Sequence, residues 1–406
     1  MDMHSKNQYL KELQKRYFQA RSKKEKSSII DEYCQNTHQN RKYVIRKINS
    51  SFSLKPKKRE KRKQIYDGYV RAALVELWEI FDRPCGQRLI PSIRNELNRL
   101  RQQEEIFVSN EVAEKLKKIG SATIDRKLKR QKQALHLSRK TGGPKPSSLL
   151  YKKVPIRLTE WDTSKVGFLE IDLVIHCGSS PLGPYICSLN TTEISSGWEE
   201  AEAIMGKGQI PTFEALQQIR GRTPFEWKGI DSDNGSEFIN DHLVKYCEKE
   251  NIEFTRSRPL KKNDNAYIEQ KNWTYVRKTF GYLRYDTNEE LSIMNSLYEK
   301  ELGLYKNFFS PAMKLIGKER IGGRVKRKYD TPKTPYQRLI ESGQISKEVK
   351  KELQKLYQSL NPAELKRRID EKKRKLYQVY EEKKRGGKAS PFKKQTPRIS
   401  SDALKV

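Results

Sequence analysis

The sequence has no long run of apolar residues, and its mean hydropathy is −0.91. A bilayer-spanning helix needs roughly 20 consecutive apolar residues, so none is expected. The first ten residues, MDMHSKNQYL, are polar and lack the apolar stretch of a secretory signal peptide. These absences argue against a membrane protein, and we expect a cytoplasmic one.

Cysteine is scarce, with five residues that are scattered along the chain and include no C-x-x-C pair. An odd number without paired spacing indicates neither a disulfide framework nor a structural zinc site. We expect all five cysteines to be reduced residues that pack in the interior. The five histidines show no metal-ligand spacing either.

Acidic residues are few relative to basic ones, with 51 Asp and Glu against 84 Lys and Arg, a net charge of +33. Such a charge excess is self-repulsive unless a polyanion neutralises part of it, and nucleic acid is the commonest polyanion. An anionic membrane surface is the alternative, which the low hydropathy disfavours.

Composition divides the 406 residues into four regions. The first two regions are helical in pattern, the third is strand-rich and least charged, and the fourth is basic with a tail expected to be disordered. Their bounds are residues 1–55, 64–138, 154–310 and 317–406. A basic segment and a Gly/Pro-rich segment separate the first three regions.

Residues 27–48 predict a helix, a short polar turn and a second helix. The expected apolar faces consist of Ile29, Ile30 and Tyr33 on the first helix, and Tyr43, Val44 and Ile48 on the second. The second helix also carries Arg41, Lys42 and Arg46, as a recognition helix in a DNA major groove would. A helical hairpin with a solvated basic face is the alternative.

The second region contains a further basic helix, predicted over residues 120–132 with Ser121 as its N-cap. This helix is expected to expose Arg126, Lys127, Lys129 and Arg130. These side chains could contact base edges or only phosphates, and the sequence favours neither.

The third region begins with VGFLEIDLVIHC (166–177), whose apolar residues alternate as in a strand. Asp172 and Glu170 share one face of this strand, and an acid in mid-strand needs a partner or a function. The later segments predict two more strands, then helix, strand, helix, strand and helix. That order is typical of an α/β fold of the RNase H type, with a mixed sheet flanked by helices.

Three acids lie where such a fold brings distant elements together: Asp172 on the first strand, Asp233 after the fourth and Glu269 on the last helix. Clustered carboxylates repel one another unless a cation neutralises them, and Mg²⁺ or Mn²⁺ prefers oxygen ligands. Two such ions about 4 Å apart can activate a hydroxyl and stabilise a leaving oxygen in phosphoryl transfer. Asp231 competes with Asp233, but an Asn-Gly turn directly follows Asp233.

The sequence segments around these acids are EIDLVIH, DSDNGSEF and KNDNAYIEQKN, and 35 residues separate Asp233 from Glu269. Over residues 160–285 the chain resembles the integrase catalytic cores of bacterial insertion-sequence transposases, which are DDE enzymes similar to retroviral integrase. The resemblance favours Asp233 over Asp231 and Asp172 over Glu170. It implies a transposase that binds the terminal inverted repeats of its element, cleaves their 3′ ends and transfers them into target DNA.

The same resemblance implies two Mg²⁺ or Mn²⁺ ions held by Asp172, Asp233 and Glu269, and a homodimer or larger oligomer on double-stranded DNA. It also implies a nucleoid-associated protein of a prokaryote. The chain lacks the His-His-Cys-Cys zinc module of retroviral integrase, so recognition of DNA ends must rest on the helical regions. Catalytically inert regulators and RNase H-like nucleases are the alternatives.

Several other side chains near the acids have expected roles. Lys261, Lys262 and Lys271 either hold the DNA end or form a solvated face, and Asn234 and Asn272 position groups around the site. Glu237 and Asp264 are expected at helix starts, where their charge is favourable, and Trp198 and Trp273 in the core.

The fourth region has six Lys or Arg within residues 318–330, which indicates non-specific phosphate binding. Residues 346–385 predict two helices divided at Asn361 and Pro362.

Overall fold

A computed structural model describes most of the chain. The described residues are 1–50, 65–135, 162, 164–233, 235, 237–238, 240–257, 266–321 and 324–386. The chain divides into two compact units, Met1–Ile65 and Tyr66–Val406. Within the described ranges, no helix combines the length and apolar character needed to cross a bilayer.

The first unit contains α1 (Met3–Gln19), α2 (Lys23–Thr37) and α3 (Arg41–Ile48). Asp2, Ser22 and Asn40 cap these helices by accepting hydrogen bonds from first-turn N–H groups. The predicted helix–turn–helix is confirmed. Its core consists of Leu10, Leu13, Ile29, Ile30, Tyr33, Val44 and Ile48.

Tyr43 does not join this core, and its predicted burial is wrong because it is 36% exposed. Val44 and Ile48, four residues apart on one face, fill the contact with the other two helices. The Tyr43 ring lies on the outside beside the cations of Arg46 and Lys47, at 5.9 and 5.3 Å from its centroid.

The second unit opens with five helices: α4 (Gly68–Ile80), α5 (Gly86–Gln102), α6 (Asn110–Lys118), α7 (Ser121–Lys127) and α8 (Lys129–Ala134). The predicted N-cap Ser121 is wrong, since Gly120 is the N-cap and Ser121 is the first helical residue. The predicted basic helix is also divided in two at the buried Leu128.

Five strands then form one sheet: β1 (Phe168–Ile175), β2 (Ile186–Glu193), β3 (Glu199–Met205), β4 (Gly229–Ser232) and β5 (Glu253–Arg256). Their order is β3-β2-β1-β4-β5. The β1–β2 and β2–β3 pairs are antiparallel, and the β1–β4 and β4–β5 pairs are parallel. This mixed sheet confirms the predicted α/β fold with an RNase H-like core after a helical region.

Helices cover the two faces of this sheet. On one face, α9 (Gln209–Arg222) and α10 (Asp241–Lys249) contribute to a cluster with Leu169 and Ile171 of β1. On the other face lies a long helix formed by α11 (Ala266–Lys271), a π-helical turn (Asn272–Arg277) and α12 (Lys278–Phe280). The alternation of β1 therefore directs Glu170 and Asp172 toward this long helix.

The remaining elements complete the second unit. They are α13 (Asn288–Leu297), a π-helical turn (Tyr298–Leu302), α14 (Gly303–Phe309), β6 (Leu315–Ile321), β7 (Arg324–Tyr329), α15 (Pro335–Ser342), α16 (Lys347–Ser359) and α17 (Pro362–Arg385). The two helices predicted in 346–385 are confirmed, whereas the β6–β7 hairpin was not predicted. One hydrophobic cluster extends from Val70 of α4 to Leu376 of α17.

All five cysteines are free thiols, as expected, but they are not all packing residues. Cys187 and Cys247 are buried, while Cys34 and Cys177 are half-buried. Cys85, which precedes α5, is exposed, so the prediction of interior packing is wrong for it.

Candidate active site

Asp172 and Asp233 are brought side by side by the parallel pairing of β1 with β4. The paired register runs to Ile171 and Ser232, so the next residues along the two strands are the two aspartates. Asp233 directly follows β4, and both side chains are half-buried. In open α/β sheets, the carboxyl ends of parallel strands are where ligands bind.

The electrostatics of this pair favour a bound cation. The pKa of the Asp172 carboxyl is raised to about 7, chiefly by burial and then by the nearby charge of Asp233, and the hydrogen bonds from Asn272 and Leu173 lower it only in part. Burial also raises the pKa of Asp233, against the lowering effect of the Gly235 N–H, which donates to its Oδ1 at 3.0 Å. Two adjacent carboxylates with raised pKa values are stabilised when a metal ion neutralises them.

Asn272 connects the long helix to Asp172. Its Nδ2 donates to Oδ2 of Asp172 at 2.6 Å, and its Oδ1 accepts from Nδ2 of Asn190 at 2.9 Å. Asn190 lies opposite Asp172 in the antiparallel β1–β2 register. The Asn272 amide therefore holds one carboxyl oxygen of Asp172, and the other, Oδ1, accepts from the Leu173 N–H at 2.8 Å.

Glu269 lies in the first turn of α11, three residues before Asn272, and its side chain is exposed. Among the described residues, no group of three or more Asp, Glu, His or Cys side chains is close enough together to hold a metal ion. The structure thus brings two of the three predicted acids together and places Glu269 on the adjoining helix. The triad as a whole remains a prediction.

The two competing acids are engaged elsewhere. Glu170 and Asp231 are buried and face each other in the β1–β4 register, two residues before Asp172 and Asp233. Glu170 accepts hydrogen bonds from backbone N–H groups at the start of α11. Asp231 accepts a hydrogen bond from the Thr255 hydroxyl, with Oγ1 and Oδ1 2.6 Å apart. These contacts give both acids structural partners. The sequence signal available for Glu170 was its position on the face of Asp172.

Glu237 was expected at a helix start, and this prediction is wrong. Helix α10 begins at Asp241 with Asn240 as its N-cap, whose side chain accepts from Leu243 N at 3.0 Å. Glu237 lies in the preceding turn, where its charge raises the pKa of both Asp172 and Asp233. Asp264 lies outside the described residues.

Lys271 is drawn into the protein by an acidic partner. Its ammonium forms an ion pair with Glu199 and donates to the Gly197 carbonyl at 3.3 Å, and its side chain is only 14% exposed. This arrangement weakens the prediction that Lys271 contacts DNA. Lys261, Lys262 and Asn234, for which related roles were predicted, lie outside the described residues.

The predicted DNA-contacting side chains of α3 differ in their availability. Lys42 and Arg46 are exposed, whereas Arg41 forms an ion pair with Asp31 and also donates to Ser27 Oγ. On α7 and α8, Arg126, Lys129 and Arg130 are exposed, and Lys127 donates to the Tyr66 carbonyl.

The two tryptophans also differ. Trp198 is buried, as predicted, and packs edge-on against Phe308 with their ring centroids 5.7 Å apart. Trp273 is 50% exposed, so its predicted place in the core is wrong. It lies four residues after Glu269, on the outer side of the long helix.

The sequence of this chain is similar to that of one curated protein. No protein-family model matches the sequence. The chain is 36% identical over 323 residues to the uncharacterized protein y4rM of Sinorhizobium fredii, a match that covers 79% of this chain and 91% of y4rM. The chain belongs to the y4rM family.

Similarity to solved structures is limited to part of the chain. The catalytic core domain of BIV integrase is 15% identical, with 43% of this chain and 95% of that chain covered and a TM-score of 0.28. The HTLV-2 integrase catalytic core domain in complex with magnesium (dimeric form) is 13% identical, with 36% of this chain and 88% of that chain covered and a TM-score of 0.27. The fold assignment rests instead on the strand order and register described above.

Proposed function

We propose that the protein is a DDE-type transposase that binds the terminal inverted repeats of its element and carries out metal-dependent 3′-end cleavage and strand transfer. The observation that supports this most directly is the pairing of Asp172 with Asp233 across β1 and β4 of an RNase H-like sheet. The charge of +33 supports a DNA substrate.

The residues of the site fit a divalent metal. Carboxylate oxygens are the preferred ligands of Mg²⁺ and Mn²⁺, and a cation would relieve the repulsion that contributes to the raised pKa of Asp172. On this proposal Asp172, Asp233 and Glu269 hold two ions. When bound, the ions would activate the attacking hydroxyl and stabilise the leaving oxygen.

The protein's own groups prepare the carboxylates for this role. The Asn272 amide orients Asp172, and the Gly235 N–H orients Asp233. In the first reaction water breaks the phosphodiester bond at the element's 3′ end. In the second, the released 3′-OH attacks a target phosphodiester and displaces its 3′ oxygen, so no covalent enzyme intermediate is needed.

Binding of the DNA falls to the basic surfaces. We propose that Lys42 and Arg46 of α3 and Arg126, Lys129 and Arg130 of α7 and α8 contact the terminal repeats, and that the β6–β7 hairpin contacts phosphates. Lys261 and Lys262 would hold the DNA end near the acids. Because two ends are joined together, at least a dimer would assemble on DNA.

Strand transfer of a labelled DNA end in Mg²⁺ tests the proposal. We expect Asp172→Asn, Asp233→Asn and Glu269→Gln each to lower the rate by about 1,000-fold or more, since each removes a metal ligand. Glu114→Gln, an exposed acid of α6, is the matched control. Full activity of Glu269→Gln would show that the third acid is wrongly assigned.

Two further measurements separate the alternatives. A catalytically inert DNA-binding regulator would bind the repeats without strand transfer and need not bind Mg²⁺ in calorimetry. An RNase H-like nuclease would cleave RNA–DNA hybrids in preference to duplex DNA.

A further inference from the structure

Glu170 contacts the helix that carries Glu269. Its Oε2 accepts hydrogen bonds from the backbone N–H groups of Tyr267 and Ile268, at 3.1 and 2.9 Å. Both N–H groups lie in the first turn of α11, where no intrahelical carbonyl is available to accept them. The Glu170 side chain is 1% exposed, so the contact is shielded from water.

A second contact between the same strand and helix lies one turn further on, where Asn272 donates to Asp172. Glu170 and Asp172 are two residues apart on β1, which is about 7 Å along a strand. From Ile268 to Asn272 is four residues, which is about 6 Å along a helix. The two spacings match, so strand and helix can be joined at both points without bending either one.

Glu269 lies between the two contacts, directly after Ile268. We propose that Glu170 is a positioning residue that fixes the start of α11 and thereby sets where Glu269 stands relative to Asp172 and Asp233. The inference rests on the proposed function, because it concerns the third carboxylate of that site. A negative charge suits this place, since the N-terminus of a helix carries a partial positive charge.

Two variants of Glu170 test the role. Glu170→Ala removes the acceptor, whereas Glu170→Gln keeps an oxygen that accepts hydrogen bonds but removes the charge. Glu96→Gln is the matched control, because Glu96 is also a buried acid, 4% exposed, and accepts from the Tyr357 hydroxyl far from the site. All four proteins are measured as full chains.

The direct readout is hydrogen exchange of peptides covering residues 266–272 without metal. We expect Glu170→Ala to exchange at least about tenfold faster there, Glu170→Gln to fall between it and wild type, and Glu96→Gln to match wild type. Protection of β2 and β3 should be unchanged in all variants, which separates loss of the contact from unfolding.

The functional readout is single-turnover strand transfer over a range of Mn²⁺ concentrations. We expect Glu170→Ala to need about tenfold more Mn²⁺ for half-maximal rate and to lose about 100-fold in maximal rate, since a misplacement of about 1 Å can cost that much. The affinity for DNA ends should stay within about twofold of wild type, and Glu170→Gln should recover part of the loss.

The inference is overturned if exchange in 266–272 and the Mn²⁺ requirement of Glu170→Ala equal those of wild type. It is equally overturned if Glu96→Gln shifts the Mn²⁺ requirement as far as Glu170→Ala does. If wild type itself shows no strand transfer, the proposed function fails, while the exchange data still decide whether Glu170 fixes the helix.

Discussion

The two helical regions that the sequence predicts as DNA-binding have differently built cores. The first, α1–α3, buries seven apolar side chains against one another. The second, α4–α8, contributes its apolar residues to a cluster that also contains residues of α13–α17. Similar amphipathic patterns thus produce a separate compact unit in one case and part of the core of the second unit in the other.

Truncating a buried core residue in each region tests this difference and should have the largest effects. Trp78 of α4 is fully buried, and its Nε1 donates to the Pro84 carbonyl at 2.9 Å. We expect Trp78→Ala to lower the free energy of unfolding of the second unit by about 4 kcal/mol. Hydrogen exchange should show lost protection in β1 as well as in α4, and an effect confined to α4–α8 would contradict the shared core.

Tyr33→Ala is the corresponding change in the first unit, where Tyr33 is fully buried. We expect a loss of about 3 kcal/mol, which is a large share of the stability of a unit of this size. Exchange in α1–α3 should rise toward the unfolded rate while β1 keeps its protection. If β1 loses protection to the same extent, the two units are not independent.

A partly buried ion cluster links the second helical region to the helix that carries Glu269. Asp82, in the turn after α4, contacts Lys278 of α12 at 2.5 Å and Lys306 of α14 at 3.5 Å. Burial alone would raise the pKa of Asp82, but these two ammonium groups outweigh it and hold the pKa at about 2. Because this value lies below the ordinary 3.8, the cluster stabilises the folded state at neutral pH.

We therefore expect Asp82→Asn to destabilise the second unit by about 2 kcal/mol at pH 7. Asparagine suits the test because it tolerates the left-handed backbone of this position, with φ of 60°. The stabilisation is lost as pH falls from about 4 toward 2, so the difference between wild type and variant in urea unfolding should narrow over that range. A difference independent of pH would contradict the assignment.

The smallest effects concern single DNA contacts. We expect Arg46→Ala on α3 and Arg130→Ala on α8 each to reduce the slope of log affinity against log salt concentration by about 1, if each contacts a phosphate. Lys24→Ala, which removes an exposed cation of α2, is the control and should leave the slope unchanged. A change at one arginine alone would assign end binding to one helical region.

The strand and helix order of the RNase H-like core could be predicted because it depends on local patterns. The alternation in β1 and the turn residues after Asp233 are visible within a few positions of the chain. The β1–β4 pairing then follows from the fold, and it places Asp172 beside Asp233. These features need no knowledge of distant side chains.

The roles of several side chains could not be predicted, because they depend on contacts with residues distant in the sequence. Lys271 was predicted as a DNA contact, but its partner Glu199 lies on β3, 72 residues earlier. The sequence shows Glu170 only as an acid that competes with Asp172, because its hydrogen-bond partners are backbone groups almost 100 residues away. Trp273 is exposed because helix faces are decided by packing, which periodicity alone did not resolve in a segment with a π-helical turn.

That π-helical turn begins at Asn272, three residues after Glu269. A π-helical turn accommodates one extra residue within a helix, and such turns are common at functional sites. The extra residue lies beyond the interval from Asp233 to Glu269, so the second half of the helix can be lengthened or rotated without altering that interval. Homologous chains can therefore differ in length after Asn272 and still keep the same spacing between the two acids.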